Sequence, residues 1–198
     1  MRALVTGATG LIGRGLVRAL GGAVVLGRDP ERARQRLGNV EFHRWRPPHE
    51  PPPAEAFEGV EVVFHLAGEP LAAGRWSRAR MRAIRDSRVL GTRRLVETLR
   101  GLPTPPPVLV SASAIGYYGD RGDEVLTEAS TPGEGFLAGV CRAWESEALR
   151  ARDLGLRVVT PRIGIVLAPE GGALARMLPL FRRGLGGRIG SGRQWMSW

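Results

Sequence analysis

A glycine triplet near the N-terminus sets the strongest limit on what this chain can form. Gly7, Gly10 and Gly13 follow a short apolar segment and precede an amphipathic one. At this spacing the first glycine permits a tight turn, the second lets a pyrophosphate approach the backbone, and the third lets a helix pack closely on a strand. The triplet therefore predicts a dinucleotide-binding turn, and a purely structural glycine-rich turn is the alternative.

The start of the next helix completes this predicted site. Its first backbone N–H groups have no partners within the helix, and the positive end of the helix dipole points the same way, so both favour a phosphate. We expect the cofactor to bind along the turn and the first helical residues, namely Gly7, Thr9, Gly10, Leu11, Ile12 and Gly13.

The segment after the second predicted strand bears on the choice between NAD and NADP. It reads Leu26-Gly27-Arg28-Asp29-Pro30. An arginine here accommodates a 2′-phosphate, whereas a carboxylate binds the ribose 2′-OH. Asp29 and Pro30 fit the cap and first turn of a helix, so we predict NADP(H) bound through Arg28. Two alternatives stay open: Asp29 binds a ribose hydroxyl of NAD(H), or Arg28 is an ordinary surface arginine.

Short apolar segments alternate with amphipathic ones along the chain, which is typical of a parallel sheet covered by helices on both faces. This alternation predicts an α/β fold, a Rossmann-type doubly wound parallel sheet. The predicted strands are 3–6, 23–26, 40–45, 60–67, 108–112 and 157–163, and the predicted helices are 11–20, 30–37, 77–100 and 136–153. Residues 47–53 contain five prolines and are expected to form a stiff surface connection.

Composition excludes several kinds of chemistry. All 29 basic residues are arginine, so no lysine is available for a Schiff base, a general base or a P-loop. One cysteine, Cys141, and three scattered histidines offer no zinc-ligand spacing, so we expect no metal. The lone cysteine and the absence of a long apolar run predict a reduced cytoplasmic protein without a signal peptide or a membrane anchor.

Several segments spread over the whole chain resemble the extended short-chain dehydrogenase/reductase superfamily. They are Thr6 to Gly13, Val63-Phe-His-Leu-Ala-Gly-Glu-Pro70, Asp86-Ser-Arg88 with Gly91-Thr92, Ser111-Ala-Ser-Ala-Ile-Gly-Tyr-Tyr-Gly119 and Gly190-Ser-Gly-Arg-Gln-Trp-Met-Ser-Trp198. Within the superfamily the chain is similar to the NAD(P)-dependent epimerase/dehydratase type, and to an atypical branch labelled epimerase family proteins. The last two segments are specific to that branch.

The resemblance implies roles for residues that follow the later strands. It assigns Leu66, Ala67, Gly68, Ser111, Arg162 and Gly164 to the cofactor. Arg162 could also be a buried structural charge. Ser113 matches the serine that orients a substrate hydroxyl or carbonyl, and its alternative role is to cap the following turn.

The chain departs from the superfamily at the acid/base pair, a tyrosine followed four residues later by a lysine. Leu137 and Cys141 stand at those two positions. If a phenol transfers the proton, it belongs to Tyr117 or Tyr118, and Tyr117 is our candidate beside Ser113. The alternative is that both tyrosines line the pocket. Tyr118 and Glu69 are assigned to the substrate, and Glu69 is a weaker acid/base candidate.

The resemblance and the charge pattern also give expectations about partners. The segment 75–100 carries nine arginines, two acidic residues and a single aromatic residue, Trp76, near its start. We interpret it as a solvated helix face rather than a nucleic-acid site. In the family this helix and the one that corresponds to 136–153 often form a dimer seam, so a homodimer is one expectation.

The predicted domains are a nucleotide-binding domain over 1–167 and the start of a truncated substrate-binding lobe over 168–198. The resemblance implies an NADP-binding oxidoreductase or a nucleoside-diphosphate-sugar epimerase that acts on a hydroxyl or carbonyl of a small-molecule substrate. A catalytically weak or inactive dinucleotide sensor is the alternative, because the tyrosine–lysine pair is missing.

Overall fold

The computed structural model describes residues 1–188 and 190–198. Nine short strands and five α-helices alternate through most of the described chain. The strands are β1 Ala3–Thr6, β2 Val24–Gly27, β3 Glu41–Arg44, β4 Val62–His65, β5 Val108–Ser111, β6 Ser113–Ala114, β7 Arg157–Val159, β8 Arg162–Ile163 and β9 Leu167–Ala168. The helices are α1 Leu11–Ala19, α2 Pro30–Leu37, α3 Arg78–Gly101, α4 Phe136–Leu149 and α5 Gly172–Arg182.

Six strands form one parallel sheet in the order β3-β2-β1-β4-β5-β7. The order reverses between β1 and β4, which pair with Thr6 opposite His65. Such a reversal opens a crevice beyond the carboxyl ends of the two strands, where doubly wound sheets bind their ligands. The predicted Rossmann-type α/β fold is confirmed.

The core lies on both faces of this sheet. One cluster packs α3, α4 and the residues around Trp45 and Phe57 against Leu4, Val63 and Leu109. A smaller cluster packs α1 against Val5 and Val25 on the opposite face. Alternate residues of the buried strands therefore face different helices, as expected for a doubly covered sheet.

The predicted strand 157–163 is wrong as one strand, because the structure divides it at Pro161. β7 ends at Val159 and stays in the main sheet, whereas β8 pairs with β6 in a separate two-stranded sheet. Proline has no N–H to donate, but the Pro161 carbonyl accepts from the Ser113 N–H at 2.8 Å. This change of partner lets the chain leave the main sheet beside Ser113.

The predicted helix 136–153 ends earlier than expected. α4 ends at Leu149 and continues as a 3₁₀ turn, Arg150–Leu154. Gly155 closes this turn at φ +82°, a left-handed conformation that glycine adopts without strain. Gly155 therefore ends the helical segment, and its last turn is tighter than an α-helix.

Residues after β9 have little core of their own. α5 contains no buried residue, and Phe181, Leu185 and Trp195 are among the exposed large apolar side chains. The division between 1–167 and 168–198 stays a prediction. Within the described residues, no helix combines the length and apolar character that a bilayer crossing requires.

Candidate functional site

The glycine turn lies at the carboxyl end of β1 and is packed against the end of β4. Gly7 has φ +67°, and a Cβ there would lie 2.7 Å from the backbone C and O atoms of Leu66. The Gly7 carbonyl accepts from the Gly10 N–H at 3.0 Å, which closes the turn. Both the backbone angle and the close approach therefore require glycine at position 7.

The other two glycines have different surroundings. A Cβ on Gly13 would lie 2.5 Å from the Gly7 carbonyl oxygen and 2.6 Å from Ala8 Cα, so Gly13 lets α1 pack directly on the turn. Gly10 is the N-cap of α1, receives no side-chain cap, and lines an adjacent cavity. The N-terminus of α1 thus offers backbone donors to an anion in that cavity.

A buried hydrogen-bond network holds the β4 end of this turn. The Thr6 hydroxyl accepts from the Leu66 and Ala67 N–H groups, each at 3.1 Å, so its own hydrogen is directed to His65 Nδ1 at 2.8 Å. His65 Nε2–H then donates to Thr92 Oγ1 at 3.0 Å. Burial lowers the pKa of His65 to about 4, so the ring is neutral at pH 7 and fixed in this tautomer.

A cavity of about 300 Å³ extends from the glycine turn to the ends of β2 and β3. Gly27 leaves room there, since its Cβ position lies 3.0 Å from the Phe42 ring. Three arginines line the same cavity, Arg28 at the end of β2 and Arg32 and Arg36 on α2. This end of the crevice therefore combines a residue without a side chain, Gly27, with three positive charges.

The structure supports one of the two roles considered for Asp29. Its Oδ1 accepts from the Arg32 N–H at 3.0 Å, and Pro30 occupies the first helical turn, so Asp29 is the N-cap of α2. The predicted cap is confirmed. The Arg28 side chain is 65% exposed and lines the same cavity.

Glu69 lies in the same cavity and is held from several directions. Its N–H donates to Ser87 Oγ at 3.0 Å, and its carbonyl accepts from Arg88 Nη1 at 3.1 Å. Its carboxylate accepts from Arg80 Nη1 at 2.8 Å and lies 3.7 Å from Arg28 Nη1. Glu69 is therefore grouped with Arg28, whereas Ser113 does not line this cavity.

Arg88, on α3, packs against the segment that follows β4. A Cβ on Gly68 would lie 3.1 Å from the Arg88 guanidinium carbon, so glycine is what admits this side chain. The guanidinium also lies 5.3 Å from the Trp144 ring centroid, and burial lowers its pKa. Arg88 supports the floor of the crevice from below the Leu66–Gly68 segment.

A second polar group lies beyond β5, around Ser113. The Ser113 hydroxyl donates to Glu145 Oε1 at 2.5 Å, and Arg162 binds both oxygens of that carboxylate at 2.9 and 3.0 Å. Arg162 also donates to the Tyr118 hydroxyl at 2.9 Å and lies 3.4 Å from the Tyr117 ring centroid. Four of our predicted site residues thus form one group: Arg162 contacts both tyrosines, and Glu145, a residue we had not singled out, joins Arg162 to Ser113.

The positions of the missing tyrosine–lysine pair adjoin this group. The Cβ position of Gly116 lies 3.4 Å from Leu137 and 3.9 Å from Cys141 Sγ. Burial raises the pKa of Cys141, so its thiol is neutral at pH 7 and provides an apolar wall rather than a cation. Arg162 supplies the nearby fixed positive charge.

Two further predicted cofactor residues have informative surroundings. The Ser111 hydroxyl is fully buried at the end of β5 and has no hydrogen-bond partner among the described residues. Such a group is costly unless something satisfies it, so it fits a site that receives a polar ligand. Gly164 approaches the backbone of Ser197, whose carbonyl accepts from the Ile165 N–H at 2.8 Å.

The remaining predicted residues lie on the first turn of α1. Thr9 lines the cavity, and its carbonyl accepts from Arg36 Nη1 at 3.0 Å. Ile12 is partly exposed, and Leu11 lies against the Gly171–Gly172 segment that begins α5. The dinucleotide-binding turn, the arginine-lined cavity and the unsatisfied Ser111 hydroxyl together fit an NAD(P)-type ligand.

Sequence reasoning missed Arg32, Arg36 and Glu145. Arg32 and Arg36 are four residues apart on one helix, so their spacing from Arg28 could have shown that they share a face. Glu145 follows Trp144 in the apolar stripe of α4, and a carboxylate in such a stripe signals a buried partner. That the partner is Arg162 could not be known before the change of strand at Pro161 was seen.

Known proteins resemble this chain over nearly its whole length. Residues 3–198 match the sequence model of the NAD dependent epimerase/dehydratase family. Epimerase family protein Mb2239 of Mycobacterium bovis is 42% identical over 98% of this chain and 63% of its own length. Epimerase family protein SDR39U1 homolog, chloroplastic, of Arabidopsis thaliana is 42% identical over the entire chain and 58% of its own length.

A solved structure gives the same result. Human epimerase family protein SDR39U1, crystallised with NADPH, is 30% identical, covers 100% of this chain and 65% of its own, and superposes with a TM-score of 0.84. The chain spans about three fifths of the length of the curated relatives it matches.

Proposed function

The chain belongs to the NAD dependent epimerase/dehydratase family, and from this premise we propose that it binds NADP(H) in preference to NAD(H). The convergence of Arg28, Arg32 and Arg36 on the cavity beside Gly27 carries this proposal. A 2′-phosphate is a dianion that guanidinium groups bind with two parallel hydrogen bonds, whereas the 2′-hydroxyl of NAD(H) gives them no charge to bind. The NADPH bound by human SDR39U1 agrees with this assignment.

Other residues would hold the rest of the dinucleotide. The N-terminus of α1 behind Gly10 would receive the pyrophosphate, and the Leu66–Gly68 segment would lie against the central sugars. Ser111, Arg162 and Gly164 are assigned to the nicotinamide side, where the buried Ser111 hydroxyl lacks a partner within the described chain. When bound, the nicotinamide supplies or accepts a hydride.

The chemistry we assign to the chain is oxidation or reduction at a hydroxyl or carbonyl carbon, including epimerisation. Ser113 donates its hydrogen to Glu145, so its oxygen is available to accept from a substrate hydroxyl. Tyr117 is the proposed proton donor and acceptor, with Arg162 as the fixed cation that replaces the lysine of the family. Tyr118 is assigned to the substrate side. Glu69 was predicted there as well, but its pairing with Arg28 in the arginine-lined cavity supports a position on the cofactor side instead.

A second candidate is a dinucleotide-binding sensor without turnover. It is favoured by one observation: the positions of the usual acid/base pair hold Leu137 and a neutral, buried Cys141. Hydride exchange on a panel of carbonyl and nucleotide-sugar substrates separates the two candidates, since only an enzyme transfers the hydride. Cytoplasmic location, the homodimer and the division at residue 167 also stay proposals.

The test compares NADPH with NADH by fluorescence titration of the wild type and of Arg28→Ala. We expect NADPH to bind more tightly to the wild type, and Arg28→Ala to weaken NADPH about tenfold or more while changing NADH little. Arg94→Ala, on the exposed face of α3, removes one arginine outside the cavity and is the matched control. Equal wild-type affinities for the two dinucleotides would overturn the preference.

A further inference from the structure

Glu69 and Arg28 face each other across the mouth of the arginine-lined cavity that is proposed to hold the 2′-phosphate. Arg28 follows β2 and Glu69 follows β4, and these strands flank β1 on opposite sides. Their ion pair, with Arg28 Nη1 3.7 Å from Glu69 Oε2, therefore spans the crevice above the glycine turn. Both side chains line the cavity.

The two partners are held very differently. The Glu69 backbone is fixed by bonds with Ser87 and Arg88, and its Oε1 accepts from Arg80, whose side chain is only 17% exposed. The Arg28 side chain is 65% exposed and has no other ion pair among the described residues. The carboxylate is thus a fixed negative charge, and Arg28 is the member of the pair that can move.

A fixed carboxylate at this place acts against a 2′-phosphate. To bind the phosphate, Arg28 must exchange one anionic partner for another, and the dianion then lies near a carboxylate that Arg80 keeps in position. NAD(H) has a hydroxyl there and meets neither cost. We propose that Glu69 is a specificity-determining residue that limits the preference for NADP(H) by competing for Arg28; this inference rests on the proposed function.

The test measures dissociation constants of NADPH and NADH for the wild type, Glu69→Gln and Glu97→Gln. We expect Glu69→Gln to tighten NADPH binding about fivefold and to change NADH by less than about twofold, because a half-exposed pair is worth only a modest energy. Glu97→Gln removes the same charge from the exposed Arg94–Glu97 pair and should leave the preference for NADPH over NADH unchanged. If both variants tighten NADPH binding equally, the effect comes from the net charge of the protein alone, and the proposal is overturned.

Two additional variants protect this test from a folding defect, since Glu69→Gln weakens the contact with Arg80. Glu69→Asp keeps the charge but withdraws it from Arg28. It should raise the preference for NADPH over NADH by less than Glu69→Gln does. In an Arg28→Ala background, Glu69→Gln should have a smaller effect, because the competition has been removed. A wild type that binds neither dinucleotide would refute the proposed function. If Glu69→Gln binds both but its preference for NADPH over NADH is no greater than that of the wild type, this inference alone is refuted.

Discussion

Tyr117 is the residue on which the proposed chemistry depends most directly. Its ring lies under the Arg162 guanidinium, whereas the hydroxyl of its neighbour Tyr118 accepts a hydrogen bond from the same group. We expect Tyr117→Phe to lower kcat about a hundredfold, as for loss of a proton-transfer group, with NADPH affinity unchanged.

The measurement is steady-state hydride transfer on whichever carbonyl substrate the wild type accepts. Tyr118→Phe is the comparison variant, since it removes the hydroxyl just after the 3₁₀ turn Ile115–Tyr117 and leaves the Tyr117 phenol in place. Because Tyr118 is assigned to the substrate, its loss should affect the KM for substrate rather than kcat. Full turnover in Tyr117→Phe would refute the assignment and would favour the view that the tyrosines only line the pocket.

At the scale of the helix, Gly13 is the position that allows α1 to meet the turn. A Cβ there would come within 2.6 Å of backbone atoms of Gly7 and Ala8, which cannot rotate away. We therefore expect Gly13→Ala to reduce the free energy of unfolding by roughly 1–3 kcal/mol.

Gly15 provides a control within the same helix. It has no atom within 4 Å of its Cβ position, so Gly15→Ala gains helix propensity without a clash and should stabilise by about 0.5–1 kcal/mol. Urea unfolding of both variants measures the difference. A stabilised Gly13→Ala would show that α1 can shift away from the turn at little cost.

Elements defined by local signals were predicted well from the sequence. Strand 3–6 and helix 30–37 have the predicted bounds, because an apolar run and an Asp-Pro cap are encoded by adjacent residues. The prediction of one continuous strand over 157–163 was wrong, since the pairing of Pro161 with Ser113 joins segments far apart in the chain. The Glu145–Arg162 pair was missed for the same reason.

At the scale of the whole molecule, His65 couples stability to pH. Its pKa is about 4 in the folded protein, against about 6.5 for an unperturbed histidine, so between these values the unfolded state binds a proton that the folded state does not. The folded pKa is lowered, so its contribution is complete above pH 6.5 and is lost as pH falls toward 4. We expect a loss of roughly 3 kcal/mol over this interval.

Denaturant unfolding between pH 7 and pH 4 measures this loss. His65→Gln keeps hydrogen-bonding groups between Thr6 and Thr92 but does not titrate, so its stability should change much less between pH 6.5 and 4.5. Carboxylates in ion pairs, such as Glu147, have lowered pKa values in the folded state, so they reduce stability mainly below the ordinary carboxyl pKa of 4.5. If the free energy of unfolding of His65→Gln falls with pH as steeply as that of the wild type, other groups cause the loss.

In the partly buried ion pairs around α3 and α4 the cation is always arginine, and its protonation differs from that of lysine. Glu147 is bound by Arg93 and Arg150, and Glu69 by Arg80. A guanidinium does not give up its proton at any pH that proteins tolerate, whereas a lysine ammonium begins to do so in mildly alkaline solution. When pH changes, these contacts therefore lose a charge only in acid, where the carboxylates are protonated, and the arginine-only composition favours stability in alkaline solution.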